Sequence, residues 1–144
     1  MRHVTIAPHL MFDGQCREAF VAYHRILGGK LATLMTFGES PLAASVDARW
    51  HARIVHATLE LDGAELNGAD VLPHDYRRPQ GFCVIVNVSN VQRARDVFAA
   101  LAEGGNVNMP FQSTFWSPGF GVLVDRFGTP WEINCAAGGT GSQS

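Results

Sequence analysis

The feature that most constrains this 144-residue chain is an order of strands, helix and turns that occurs twice. In each half a helical pattern ends in a glycine pair, Gly28-Gly29 in the first and Gly104-Gly105 in the second. A hairpin with a glycine in its turn then closes the half. Glycine suits both positions because it adopts positive φ without a steric penalty. Each half is therefore predicted to contain a strand, a helix and three further strands, although the two halves differ in sequence.

Alternation of apolar and polar residues divides the first half, residues 1–70, into its elements. The predicted strands are residues 5–12, 30–37, 54–61 and 64–68. The predicted helix lies between Asp13-Gly14 and Gly28-Gly29, and Asp62-Gly63 is a strong hairpin signal. Residues 71–80 contain two prolines and little periodicity, which predicts a linker.

The second half, residues 81–135, repeats the pattern. Its predicted strands are residues 82–88, 106–111, 120–124 and 130–135. Ser89 and Gln92 have the spacing of a capping box, so the second helix is predicted to start with Ser89 as its N-cap. Residues 136–144 are rich in glycine and serine and are predicted to be a flexible tail.

A four-stranded sheet with one helix leaves its other face without a partner. The predicted fold class is therefore α+β, with two βαβββ modules whose mostly antiparallel sheets curl into one cup and carry their helices outside. The apolar strand faces would pack under the helices, and the opposite faces would line the cup.

The side chains assigned to the cup mix ionisable and apolar types, which suits a small-molecule pocket. They are His9, Met11, His56, Thr58, Glu60, Asn67, Cys83, Ile85, Asn87, Glu132 and Asn134. The alternative is that some of these strands simply present one face to water, as antiparallel sheets commonly do.

Glu132 is the most informative single residue of this set. In the last strand Trp131 and Ile133 point one way and Glu132 the other, because strand side chains alternate. Burying a carboxylate is costly unless it is paired, binds a cation or faces a wet cavity. Glu132 is thus either a cleft residue or part of a solvated strand face.

Composition limits the partners and the compartment. The net charge of −2 gives no general electrostatic reason to bind nucleic acid, and no apolar run reaches the roughly 20 residues of a membrane span. Three widely spaced cysteines form neither a disulfide framework nor a zinc motif, which favours a reducing cytoplasm.

Four segments of the chain carry a resemblance to a known family. They are HLMFDGQCREAFVAYHRILGGKL from His9, MTFGESP from Met35, HATLELDGAELNGAD from His56 and FGVLVDRFGTPWEINC from Phe120. The chain resembles the vicinal oxygen chelate superfamily, which includes glyoxalase I, extradiol dioxygenases and bleomycin-resistance proteins, and within it the PhnB-like branch. The resemblance implies a paired βαβββ fold, a homodimer and a cleft that often holds a divalent metal.

The resemblance also implies site residues. Glu132 matches a last-strand glutamate ligand and His9 lies close to the first-strand ligand, so these two would be the metal ligands or acid-base groups. Asn67 would be a weak oxygen donor, and the ligand expected at the start of the second module is missing, because only Cys83 lies on the cup face there. A facial triad of two histidines and a carboxylate would need His56 from a different strand.

Two functions stay open at this point. One is metal-assisted chemistry of the glyoxalase or dioxygenase type, with Glu132 and His9 as catalytic residues. The other is metal-free binding or sequestration of a small molecule, as in bleomycin-resistance proteins. The predicted ligand-binding residues are His56, Glu60, Asn67, Cys83, Asn87, Phe111 and Trp116.

No nucleotide cofactor is expected. Members of this branch resemble proteins labelled demethylubiquinone methyltransferases, but nucleotide cofactors are normally held by a glycine-rich loop that leads from a strand into a helix. In this chain both glycine pairs end helices instead.

Overall fold

The computed structural model describes residues 4–136, and the chain divides into two compact units between Arg77 and Arg78. This division lies within the predicted linker. Residues 137–144, which make up all but one residue of the predicted tail, lie outside the described residues.

The first unit contains β1 (His9–Phe12), α1 (Cys16–Leu27), β2 (Lys30–Thr36), β3 (Ile54–Leu61) and β4 (Ala64–Asp70). Short 3-10 turns at Ala43–Ser45 and Ala48–Trp50 interrupt the long connection between β2 and β3, and another lies at Pro73–Asp75. The second unit contains β5 (Val84–Val88), α2 (Val91–Ala102), β6 (Asn106–Gln112), β7 (Phe120–Val124) and β8 (Pro130–Cys135).

Each unit forms its own four-stranded mixed sheet, in the order β1-β4-β3-β2 and β5-β8-β7-β6. The first strand of each unit pairs in parallel with the last, and the remaining pairs are antiparallel. The α+β class and the two βαβββ modules are confirmed. That the two sheets enclose a common cup stays a prediction.

The predicted ends of β2, β4 and β6 were wrong by one or two residues. Three predicted starts were also wrong, and backbone donors explain these. β1 begins at His9 instead of residue 5, because Pro8 has no N–H and contributes only its carbonyl, which accepts from the Asn67 N–H. β5 begins at Val84 instead of residue 82, since its partner strand β8 begins with Pro130. The N-cap of α2 is Asn90 and not Ser89, because the Asn90 side chain accepts from the Arg93 N–H at 2.8 Å.

One face of each sheet packs under its helix. In the first unit Leu10, Phe12 and Leu59 are buried with the inner side of α1, where Phe20 lies against Gly68 so closely that any Cβ there would collide with its ring. In the second unit Trp131 and Ile133 are buried with Phe98 of α2. The alternation predicted from the sequence thus holds for β1 and β8, and no described helix is long and apolar enough to cross a membrane.

Candidate functional site

The sheet face opposite α1, called the first open face, carries a polar row that crosses all four strands of the first unit. Strand register places His9 beside Asn67, Asn67 beside Thr58, and Thr58 beside Thr33. The neighbouring row runs through Met11, Ala69, His56 and Met35. Pairing between strands therefore brings together His9, His56 and Asn67, which the sequence predicted separately.

Hydrogen bonds join three of these side chains into a chain. The Thr58 hydroxyl donates to Asn67 Oδ1 at 2.8 Å and lies 3.1 Å from His56 Nε2. A threonine hydroxyl has one proton, so it accepts from His56 while it donates to Asn67. His56 Nε2 therefore carries the imidazole proton, and in the neutral ring Nδ1 keeps a lone pair available to a ligand.

His9 is coupled electrostatically to this chain. Partial burial lowers the pKa of His9 from its ordinary value, and the nearby His56 lowers that pKa further. The first open face thus holds two neighbouring imidazoles, and near neutral pH the His9 ring is uncharged and able to accept a hydrogen bond or a metal ion.

Glu60 lies on the same face but one row away from the hydrogen-bonded chain. Its register partners are Lys30 on β2 and Glu65 on β4. These three residues line a cavity of about 580 Å³ together with Ile6 and Ala7, which precede β1. The first open face therefore combines a polar row with an adjoining cavity large enough for a small molecule.

In the second unit Glu132 is paired with Cys83. Cys83 is exposed, but the partial burial of its thiol raises the thiol pKa, and the charge of Glu132 and a hydrogen bond to it raise this pKa further. The thiol is consequently protonated at neutral pH and donates to the carboxylate, which is the opposite of what a nucleophilic cysteine needs.

A second polar pair lies on the same face of β5 and β8. Asn134 Nδ2 donates to Asn87 Oδ1 at 2.9 Å, whereas Asn134 Oδ1 is buried and receives no hydrogen bond from the described part of the chain. The sequence placed Asn134 on the cup side but did not single it out as a binding residue. Asn134 lies two residues after Glu132 in the same strand, so both side chains point to the same face. This spacing was the signal from which Asn134 could have been predicted as a binding residue.

The two predicted aromatic ligand contacts are placed differently. Trp116 packs edge-to-face on Phe120, with ring centroids 5.2 Å apart, and Phe120 is the register partner of Asn134. Phe111 instead lies 5.7 Å from Phe98 of α2, which places its ring on the helix side of the sheet. A ligand-binding role for Phe111 stays a prediction that this placement does not support.

The predicted metal set of His9, His56 and Glu132 draws on both units, and it stays a prediction. Among residues 4–136 no group of three or more His, Cys, Asp or Glu side chains is placed to hold a metal ion. The polar row and the neighbouring row together supply two imidazoles, His9 and His56, and the Asn67 amide, but no carboxylate. The first unit alone therefore does not complete a facial triad.

A family model and a related protein match nearly the whole of this chain. The family model described as 3-demethylubiquinone-9 3-methyltransferase matches residues 4–134. Protein YjdN of Escherichia coli strain K12 is 33% identical over 139 residues, covering 91% of this chain and 95% of that protein.

Solved structures agree with this assignment. Protein PA1353 from Pseudomonas aeruginosa is 42% identical with a TM-score of 0.85, and the match covers 92% of this chain and 98% of that one. The PhnB protein from Bacillus cereus is 25% identical with a TM-score of 0.77, covering 92% and 100% of the two chains. A glyoxalase-related enzyme from Fulvimarina pelagi, at 16% identity and a TM-score of 0.62 over 94% of this chain and 89% of that one, shares the fold. The chain therefore belongs to the PhnB-like family, which carries the description 3-demethylubiquinone-9 3-methyltransferase, and its fold is consistent with the vicinal oxygen chelate superfamily.

Proposed function

We propose that this protein binds a small organic molecule with two adjacent oxygen atoms on the first open face. The observation that supports this is the hydrogen-bonded chain from His56 through Thr58 to Asn67. In the neutral ring, His56 Nδ1 is a hydrogen-bond acceptor. The side-chain oxygen of Asn67 already accepts from the Thr58 hydroxyl, so the side-chain nitrogen of Asn67 is the donor that a ligand would meet. A ligand hydroxyl would donate to the first, and a neighbouring ligand oxygen would accept from the second.

The rival interpretation is a solvated polar face. The hydrogen-bonded chain from His56 to Asn67 argues against a solvated face. Thr58 is buried, with 7% of its surface exposed, and its hydroxyl has no role in the backbone hydrogen bonds of the sheet. Thr58 is buried between an exposed His56 and a half-buried Asn67, so its two hydrogen bonds fix the orientation of both end groups. Fixed donors and acceptors are what a binding site requires. The adjoining cavity of about 580 Å³ would take the remainder of the ligand.

The test is titration with catechol, whose two hydroxyls are adjacent, by isothermal calorimetry in the presence of EDTA. Resorcinol, which separates its hydroxyls by one ring carbon, is the matched ligand control. Thr58→Val removes the hydroxyl at similar shape and should weaken catechol binding about two- to tenfold, the effect of one ordinary hydrogen bond.

Thr33→Val is the matched protein control, since Thr33 is the register partner of Thr58 but lies outside the hydrogen-bonded chain. It should bind catechol like the unaltered protein. Equal affinities for catechol and resorcinol would reject the requirement for two adjacent oxygens. Equal losses in the two variants would reject the first open face as the binding site.

A second candidate function is metal-assisted chemistry of the glyoxalase or dioxygenase type, with His9 and Glu132 in the roles that the family resemblance implies. The lowered pKa of His9 favours it, because a neutral imidazole is the form that binds a divalent metal. Metal analysis of protein purified without chelator separates the two candidates. A stoichiometric divalent ion would favour the metalloenzyme, and its absence would favour binding alone.

We also propose that the protein is a cytoplasmic homodimer. Each sheet has two edge strands, and the apolar residues Ile6 and Phe115 are 93% and 97% exposed in the single chain. Unpaired edges and exposed apolar side chains are commonly covered by a second copy. Light scattering at micromolar concentration should give twice the chain mass of 15.6 kDa, and a monomer mass would contradict the dimer.

A further inference from the structure

A second cavity of the first unit, of about 280 Å³, lies between the start of α1 and the 3-10 turn at Ala48–Trp50. We call it the arginine cavity because Arg17, Arg49 and Arg53 line it. None of the residues predicted from the sequence as site residues lines this cavity, so it is distinct from the polar row on the first open face.

Arg53 is held in one orientation. Its Cζ lies 4.4 Å from the centroid of the Trp50 ring, a cation–π contact with a buried indole. Its guanidinium also lies against Gly14, where any Cβ would collide with it, and Gly14 has a φ of +96° that other residues rarely adopt. The guanidinium of Arg53 is thereby confined between an aromatic ring and the backbone.

The other two arginines converge on the same space. Arg17 Nη2 donates to the Ala52 carbonyl at 3.4 Å, which ties the α1 side of the cavity to the segment that follows Trp50. Arg49 lies 3.7 Å from Asp47 in an exposed ion pair. Within residues 4–136 neither Arg17 nor Arg53 has a carboxylate within 4.0 Å.

Two acidic residues also line the cavity, and neither lies within 4.0 Å of the Arg17 or Arg53 guanidinium. Asp70 is buried, and its carboxylate accepts from the backbone N–H groups of Gly14, Cys16 and Ile54. Glu18 is exposed on the first turn of α1. Asp47 offsets the charge of Arg49, so the positive charge of the lining comes from Arg17 and Arg53. The amides at the start of α1 are already bonded to Asp70.

We propose that the arginine cavity binds a small oxyanion, of which inorganic phosphate is the test case. Guanidinium groups present paired N–H donors that match the oxygens of phosphate and carboxylate. A tetrahedral phosphate can contact two guanidiniums at once, so we expect it to bind more tightly than a carboxylate of equal charge. The chemical class of the ligand is accordingly a phosphorylated or carboxylated small molecule.

The experiment is titration of inorganic phosphate at constant ionic strength, balanced with sodium chloride, and followed by two-dimensional nitrogen-15 NMR. Saturable shifts should appear at the Trp50 indole N–H and the Gly14 amide, because these groups border the Arg53 guanidinium. Arg53→Gln and Arg17→Gln should each weaken the phosphate affinity about tenfold or more, as the loss of a charge-assisted contact predicts. A parallel titration with acetate shows whether a carboxylate occupies the same groups.

Arg126→Gln is the matched control, since Arg126 also stacks on an aromatic ring, 4.2 Å from the centroid of Phe127, but belongs to the second unit. It should leave phosphate binding unchanged. Shifts that grow linearly without saturation, or equal weakening in Arg17→Gln and Arg126→Gln, would overturn the proposal and leave only general charge attraction. Arg17 is exposed, so Arg17→Gln remains informative if Arg53→Gln does not fold.

Discussion

The two units share one element order but attach their helices to their sheets in different ways. In the first unit the start of α1 is bonded to Asp70 at the end of β4, whose Oδ1 accepts from Gly14 N at 2.9 Å and Cys16 N at 3.0 Å. In the second unit α2 is capped by its own Asn90, which accepts from Arg93 N three residues later. The same junction is therefore made by a distant residue in one unit and by a local one in the other.

In the second unit the buried carboxylate lies in a hairpin turn and does not bind the start of the helix. Asp125, in the turn between β7 and β8, accepts from the N–H groups of Phe127 and Thr129 at 2.9 Å and from Trp131 Nε1 at 2.8 Å. The corresponding turn of the first unit is the two-residue Asp62-Gly63, where Asp62 is exposed. The comparison shows that a repeated fold constrains the apolar faces, whereas each unit satisfies its backbone donors with its own polar residues.

The largest effect is expected from removal of the distant anchor. Asp70→Ala leaves three backbone N–H groups without an acceptor in a buried position, which should lower the free energy of unfolding by about 3 to 5 kcal/mol. Urea denaturation followed by circular dichroism measures it. Asp62→Ala, at the exposed turn, is the control and should change stability by less than about 0.5 kcal/mol. A loss below about 1 kcal/mol for Asp70→Ala would mean that the anchor is not the main link between α1 and its sheet.

The local cap should matter less. Asn90→Ala removes one N-cap acceptor from the start of α2 and should cost about 1 kcal/mol, while Asn90→Asp keeps an acceptor and should be nearly neutral. The same urea transitions measure both variants. If Asn90→Ala were as damaging as Asp70→Ala, the proposed contrast between distant and local anchoring would disappear.

The smallest effect concerns pH, and it belongs to the first unit because every histidine of the chain precedes the division at Arg77. The pKa of His9 is lowered in the folded state, so the unfolded chain takes up this proton first as pH falls. Stability from His9 is thus complete above its ordinary pKa of about 6.5 and decreases as pH falls toward the folded pKa. Melting temperatures at about pH 7.5 and about pH 5.5 should differ less in His9→Gln than in the unaltered protein. His24→Gln, an exposed position on α1, is the control, and an unchanged difference in His9→Gln would show that His9 is not responsible.

Local patterns predicted much of this molecule from its sequence. Alternation assigned His9 and Glu132 to the faces opposite the helices, and glycine pairs marked both helix ends. The Asn90 cap was missed by one residue because Ser89 and Asn90 are both good N-caps, and only the backbone geometry selects between them. The linker, the tail and the ligand roles stay predictions.

The parts that could not be predicted depend on distant pairing. Nothing local to Asp70 indicates that its partners lie 54 to 56 residues earlier, at Cys16 and Gly14. The pairing of Thr58 with Asn67 on the first open face, however, could have been predicted from the sequence. A two-residue turn at Asp62-Gly63 pairs Leu61 with Ala64, and counting back from it pairs Thr58 with Asn67. The turn predicted from the sequence therefore already implied that contact.

The parallel pairing of β1 with β4 has a consequence for how the first unit is made. β1 precedes the other strands of the first unit, yet its hydrogen-bonding partner and the anchor of α1 both lie in β4, the last strand of that unit. Pairs separated by more than about 50 residues close slowly, because chain entropy must be lost before the contact forms. During synthesis on the ribosome, β1 and α1 would therefore remain without their partners until Asp70 has emerged. The β3–β4 hairpin would form before β1 pairs with β4. Chaperones that shield apolar strands would find their substrate in that interval.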